Sequence, residues 1–307
     1  MLALLCSLVL VAGSCEQLGL NGGAETAFDG EAALRYAQAQ VDFGPRVPGT
    51  EGHRLAGDWI VEQMSARSDT VIVQEWMHVA STGDTLPMRN ILARIRPELQ
   101  QRVLYIAHWD TRPIAENADR REDRDTPIPG ANDGASGVGL LVAVADALMQ
   151  TPPQFGVDLL FVDGEDYGDF NADRDVLLGS KYFAANPPSE GYRPLFGVVW
   201  DMVGADGATF HQEGYSIQGA PEVVTRVWQK AADLGYSRYF VQRAGGPVTD
   251  DHLPLLEAGM RVIDVIDIDA NGRIRYPHHH RLSDTMDKLS ARTFQVVGDV
   301  ATALVTP

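Results

Sequence analysis

The stretch Val157-Asp-Leu-Leu-Phe-Val162 is short and almost wholly apolar, and it runs directly into Asp163-Gly164-Glu165-Asp166. A run of that length, bounded by a glycine turn, reads as a strand buried on both faces. Val103–Ala107 is a second such run and leads into His108-Trp109-Asp110; Phe196–Trp200 is a third and ends on Asp201. Further strands are expected at Val71–Trp76, Asn90–Ile95 and Met260–Ile266. Helical patterns fall between them. Asp29 can cap a helix that turns Ala33, Leu34, Ala37 and Val41 inward, and Thr50 one with Leu55, Trp59, Ile60 and Met64 on one face. Gly130–Gly137 opens a long apolar helix through Leu148, and others are expected near Gly179–Ala185, over Pro221–Leu234, just after Thr249-Asp250-Asp251, and from about Ala291 to Leu304. Strands that alternate with helices predict an α/β fold: one three-layer α/β/α domain with a mostly parallel central sheet. Ligand sites in such sheets gather at the carboxyl ends of strands, so the acids and histidines that follow these runs are the candidate site.

Composition narrows the rest. The chain has 307 residues, 45% hydrophobic and 22% charged, enough for one large domain, here taken as 29–307. A net charge of −17 argues against a nucleic-acid partner and reads as solubility. Residues 1–15 have the character of an export signal, with an apolar core well short of the ~20 residues of a membrane span. Ala12-Gly13-Ser14 before Cys15 resembles a bacterial lipoprotein cleavage box. The chain is therefore expected in the cell envelope, lipid-anchored through Cys15, with periplasmic or secreted location as the alternative. Residues 16–28 read as a tether, and a monomer is expected. Cys6 would leave with the signal, so the mature domain has no disulfide. No dinucleotide fingerprint, phosphate loop or Gly-x-Ser-x-Gly elbow occurs.

The residues after the strands are His108, Asp133, Glu165, Asp166 and Asp201, with His280 further on. A mixed histidine and carboxylate set is the donor set of catalytic zinc, with ligands ~2.0–2.2 Å from the metal. Each has a plainer reading. His108 could be a satisfied core histidine, Asp133 a helix cap, Asp201 a structural acid, and His278-His279-His280 a solvated patch. Asp110, two residues past His108, is placed to fix an imidazole, and Pro113–Pro129 is long enough to be a rim or lid.

Taken together, the motifs resemble the zinc-dependent aminopeptidase superfamily and, within it, the glutaminyl-peptide cyclotransferases, from about Tyr36 to Leu304. Pro48-Gly49 resembles the family's Pro-Gly-Ser entry to the second helix. His108-Trp-Asp110 resembles its His-Tyr-Asp, and Ala131-Asn-Asp133-Gly-Ala-Ser its zinc-binding Asp segment. Asp163-Gly-Glu165-Asp166 resembles Asp-Gly-Glu-Glu, and Trp200-Asp201-Met-Val-Gly-Ala205 resembles Leu-Asp-Leu-Ile-Gly-Ala. Asp250-Asp251-His252-Leu-Pro-Leu-Leu256 resembles Asp-Asp-His-Ile-Pro-Phe-Leu, and the double Asp favours the cyclases over the peptidases. His280 before Asp284-Thr285 resembles the last zinc-binding histidine. Three positions depart from the animal cyclases: Asp166 replaces a Glu, His279 stands at a pocket tryptophan, and Asn171 replaces an aromatic.

The resemblance implies one Zn2+ on Asp133, Asp166 and His280, with Glu165 as the catalytic acid–base. Asp201 and Asp250 would form an acid network near the developing ammonium group. The substrate would be a peptide or protein N-terminus, and the reaction cyclisation of N-terminal glutamine. The alternative is a zinc aminopeptidase, in which His108 and Asp201 hold a second Zn2+ and Asp133 bridges the pair. A third reading, a non-enzymatic binding protein on the same scaffold, is weakened by the presence of Glu165.

Overall fold

The computed structural model describes residues 26–307. The export signal, Cys15 and residues 16–25 of the tether lie outside the described residues. No helix among the described residues is long and apolar enough to cross a membrane.

Among the described residues, eight strands and eight α-helices follow one another: α1 (Gly30–Val41), α2 (Glu51–Ser65), β1 (Thr70–Val79), β2 (Thr85–Ile95), β3 (Arg102–His108), α3 (Ala135–Gln150), β4 (Gly156–Val162), α4 (Leu178–Ala185), β5 (Phe196–Trp200), β6 (Phe210–Gln212), α5 (Gly214–Gly219), α6 (Pro221–Asp233), β7 (Phe240–Ala244), α7 (His252–Glu257), β8 (Val262–Val265) and α8 (Ala291–Ala303). Six strands form the central sheet in the order β1-β2-β4-β3-β5-β8. β1, β2 and β4 pair antiparallel; β4, β3, β5 and β8 run parallel. The caps expected at Asp29 and Thr50 form: Asp29 accepts from the amides of Glu31 and Ala32, and Thr50 from that of His53. The small parallel pair β6–β7 and the short α5 were not anticipated, because three to six residues carry too little periodicity to register.

Alternation along the buried strands divides the core. Val103, Tyr105 and Ala107 of β3 face a layer built by α1, α2, α3, α6 and α8. Leu104 and Ile106 face the opposite layer, with Phe183 of α4 and Leu255 of α7. This is the three-layer α/β/α arrangement that the sequence predicts. One polar residue interrupts the apolar run of β4: Asp158 is fully buried. Arg102 reaches it with two hydrogen bonds, Nε at 2.8 Å and Nη2 at 2.6 Å, and Tyr192 adds a third at 2.8 Å. A buried carboxylate is tolerated when its partners are this complete.

α3 is buried on nearly all sides, as a helix without a polar face must be. It lies so close to β5 and β3 that a Cβ at Gly137 would stand 2.3 Å from the Trp200 carbonyl oxygen and 2.8 Å from the Ala107 Cβ. Gly137 therefore sets the spacing between α3 and the strand ends that carry His108 and Asp201. Gly137→Ala is expected to destabilise the fold by about 1–3 kcal/mol, as overpacking does, and a thermal melt reads this directly.

Candidate metal and catalytic site

Parallel registration brings the strand ends together. His108 is the last residue of β3 and pairs with Val162, the last of β4, so the Asp163–Asp166 turn begins beside it. β5 ends one residue before Asp201. The loop before α3 supplies Asp133, and the segment after β8 supplies His280. Two fasteners hold the Asp133 loop against the Asp201 loop: Gly204 N donates to Asn132 Oδ1 at 2.9 Å, and Val203 N to Ser136 Oγ at 3.1 Å. The six residues singled out from the sequence therefore meet in one place. A cavity of about 510 Å³ opens there, lined by Asp133, Glu165, Asp166, Asp201, Asp250 and His280 among others.

Two donor groups share Asp133. In one, His280 Nε2 lies 3.3 Å from Asp166 Oδ1 and 3.7 Å from Asp133 Oδ2. In the other, His108 Nε2 lies 3.1 Å from Asp201 Oδ1 and 3.3 Å from Asp133 Oδ1. Ligands ~2.0–2.1 Å from a tetrahedral zinc stand about 3.3 Å from one another, so the two His108 contacts and the His280–Asp166 contact have the spacing of a metal's coordination edge, and His280–Asp133 is wider. Asp133 Oδ2 and Asp166 Oδ2 are buried and accept no hydrogen bond. Buried carboxylate oxygens without a partner are costly unless a cation takes them. The residues thus fit a zinc ion. His279, its ring tilted by 30° against that of His280 with centroids 3.7 Å apart, also brings a ring nitrogen to within 4.8 Å of the Asp133 and His280 donors. His278 points elsewhere, its Nδ1 2.8 Å from Ser283 Oγ.

The charges are strongly coupled to burial. Burial works against the Asp133 carboxylate, but the hydrogen bond from His108 and the charge of His280 outweigh it and hold its pKa below the usual range. Burial also opposes a charged His280, yet Asp166 and Glu116 override it and push the ring up to about 10. Asp201 is pushed up to about 7 by burial together with the charge of Asp250, against its bond from His108. Glu165 rises well above the usual carboxylate range because it is buried and faces Asp166, Asp250 and Asp251, with His108 pulling the other way. A carboxyl held up in this way suits proton transfer near neutral pH.

Asp110 does something other than the expected fixing of an imidazole. Its Oδ1 lies 3.5 Å from His108 Nδ1, while its two oxygens accept the backbone N–H groups of Glu165 and Asp166, each at 3.1 Å. Two successive amides offer a carboxylate a better fit than one ring edge, so Asp110 fixes the turn that carries both acids. Asp133 does not cap α3; Gly134 holds that position without a side-chain bond.

The structure adds residues that the sequence reading passed over. Arg112 Nη1 donates to Asp166 Oδ1 at 3.0 Å and its Nε to Glu116 Oε1 at 2.7 Å. The same Glu116 oxygen lies 2.8 Å from His280 Nδ1. Glu116 thereby keeps a proton on His280 Nδ1 and leaves Nε2 as the nitrogen whose proton a metal would displace. Nothing local marks Arg112 and Glu116, because they lie in a loop where a four-residue spacing has no helical register. On the far side, Asp284 accepts from the amides of Asn132 at 2.9 Å and Asp133 at 3.2 Å, and from the Tyr276 hydroxyl at 2.7 Å. The 113–129 segment is a pinned rim: Ala115, Ala118 and Ile128 form a small core of their own, and Asn117 donates to the His279 and His280 carbonyls. Glu116→Gln is expected to weaken zinc binding by about 10–100-fold, the usual cost of losing such a partner. Competition against a chelator measures it.

Histidine and carboxylate donors around one cleft at the carboxyl edge of a parallel sheet are the build of a metal-dependent α/β enzyme. A profile of peptidase family M28 matches residues 90–305, and the chain belongs to that family. Among solved structures, it is similar to Porphyromonas gingivalis glutaminyl cyclase (40% identity, 91% of this chain and 98% of that one, TM-score 0.87). It is equally similar in fold to a Zn-dependent exopeptidase from Parabacteroides distasonis (35% identity, 91% and 99%, TM-score 0.87). Among curated proteins it is 24% identical to the glutaminyl-peptide cyclotransferase of Drosophila melanogaster over 248 residues, 73% of this chain and 67% of that one.

Proposed function

We propose that this protein is a zinc-dependent glutaminyl-peptide cyclotransferase that converts an N-terminal glutamine to pyroglutamate. The α-amine nitrogen forms a bond to the side-chain amide carbon, the bond from that carbon to the amide nitrogen breaks, and ammonia leaves. The observation that carries this reading is the meeting of Glu165 and Asp250 in the wall of one cavity with Asp133, Asp166 and His280. The likeness to bacterial glutaminyl cyclases over nine-tenths of the chain supports it.

Asp133, Asp166 and His280 would hold the zinc. Bound there, zinc supplies Lewis acidity toward the substrate's amide oxygen. Glu165 takes a proton from the attacking amine and returns it to the departing nitrogen, a transfer worth roughly 10²–10⁴ in rate. Asp201 and Asp250 line the same space and would stabilise the developing ammonium, with the Asp201 carboxyl pushed up by its burial. Asp110 keeps Glu165 and Asp166 in register, so acid–base and ligand move as one unit. The His279 and Phe170 side of the cavity would receive the substrate side chain. We further read the protein as exported, anchored through Cys15, and acting as a monomer.

The His108–Asp133–Asp201 group favours a second reading, an aminopeptidase with two metals sharing Asp133. One incubation separates the two. Zinc-loaded protein is given a peptide that begins with glutamine and another that begins with leucine, and products are read by mass spectrometry. Ammonia lost from the first with the second intact supports the cyclase; free leucine supports the peptidase.

A further inference from the structure

We propose that Glu213 and His252 form a buried positioning pair that fixes Asp250 in the cavity wall; the proposal rests on the cyclase reading above. Both residues are fully buried and neither lines the cavity. Glu213 caps α5, and its carboxylate is saturated. Oε1 accepts from Tyr215 N at 2.9 Å and Val248 N at 2.9 Å; Oε2 accepts from Ser216 N at 2.6 Å and Ser216 Oγ at 2.7 Å. Burial alone would raise this acid, but its contact with His252 and the bonds from Tyr215 and Ser216 hold it down at about 2. It is a fixed negative charge.

His252 Nε2 stands 3.2 Å from Glu213 Oε2. The same ring has a nitrogen within 4.8 Å of carboxylate oxygens of both Asp250 and Asp264, which are themselves that close to each other. Asp250 Oδ2, both oxygens of Asp264 and both ring nitrogens of His252 are buried with no hydrogen-bond partner. The imidazole therefore stands between a saturated carboxylate and two unsatisfied ones, which is where an N–H donor is most needed.

The chain around Asp250 needs such support. Gly245-Gly246-Pro247 precedes it, and Pro247, Val248, Thr249 and Asp250 form the cavity wall without belonging to a regular element. Glu213 meets this stretch twice, accepting from the Val248 amide and standing 3.2 Å from His252 Nε2, with Thr249, Asp250 and Asp251 between. Ser216 extends the brace to β8, since Asp264 N donates to Ser216 Oγ at 2.9 Å. The result is a stiff mount for a catalytic carboxylate that solvent does not reach. A misplacement of about 1 Å in such a group can cost on the order of 10²-fold in turnover.

The test uses the zinc-loaded protein and a glutamine-led peptide. Glu213→Gln and His252→Phe are each expected to lower kcat by about 10- to 100-fold, with KM and zinc content within about two-fold of wild type. The double variant should be no worse than the poorer single one, because both remove the same support. His252→Gln, which keeps a donor, should recover part of the loss. A purely structural role would lower the melting temperature and leave kcat per zinc-loaded site unchanged. Should His252→Phe be insoluble, the near-isosteric Glu213→Gln decides alone. A kcat within two-fold of wild type, additive losses, or a loss confined to KM overturns the proposal. A wild-type protein that forms no pyroglutamate overturns the cyclase reading instead.

Discussion

Glu165→Gln is expected to cut pyroglutamate formation steeply while zinc stays bound. The substitution preserves volume and keeps the backbone N–H that Asp110 holds at 3.1 Å, so the turn from Asp163 to Asp166 remains in place. What it removes is the capacity to accept and return a proton. The loss should reach roughly 10²–10⁴ in kcat/KM, about 3–5 kcal/mol of transition-state stabilisation. Glu165→Asp should fall between, since the carboxylate is kept but drawn back by one methylene. Steady-state kinetics on a glutamine-led peptide, with zinc counted by elemental analysis on the same samples, give both quantities. Turnover equal to wild type would remove Glu165 from the mechanism. Loss of zinc along with activity would mean that the residue holds the metal and moves no proton.

The reason Glu165 could be singled out from sequence lies in how parallel sheets are built. A strand buried on both faces shows a nearly unbroken apolar run, and the polar residue that ends it must emerge at the sheet's edge. Val103–Ala107, Val157–Val162 and Phe196–Trp200 all signal this way; the latter two deliver Glu165, Asp166 and Asp201 to the cavity wall, and the first sets His108 against Asp133 and Asp201. His280 offers no such pattern. It sits at φ 54°, in a left-handed turn fastened by its neighbours, and only likeness to a known motif selected it from three adjacent histidines. Arg112, Glu116 and Glu213 were harder still. Their importance lies in bonds to residues 35 to 164 positions away, and no local periodicity encodes those. Asp110 shows the opposite case: its relevance was visible, but its partner was not, because side-chain direction follows from backbone geometry and not from spacing in the chain.

Stripping the metal with a chelator should silence the enzyme, and titrating zinc back should restore full turnover at one ion per chain. Two donor groups compete for that first ion. The His280 group offers two buried oxygens, Asp133 Oδ2 and Asp166 Oδ2, that have no other partner. Its histidine is already oriented through Nδ1 by Glu116. In the His108 group, Asp201 Oδ1 and Asp133 Oδ1 both face His108 Nε2 at hydrogen-bond distance, so the imidazole can satisfy them as a donor without a metal. The first ion should therefore take the His280 group. Binding to the folded state alone also stabilises it, by about 4 kcal/mol at a thousandfold excess over Kd. The melting temperature should thus climb through the tight first equivalent together with activity. His280→Ala should remove both effects, whereas His108→Ala should leave the first equivalent intact. If activity and melting temperature rise to a second equivalent, and His108→Ala abolishes that second step, the two-metal peptidase describes this site and the cyclase does not.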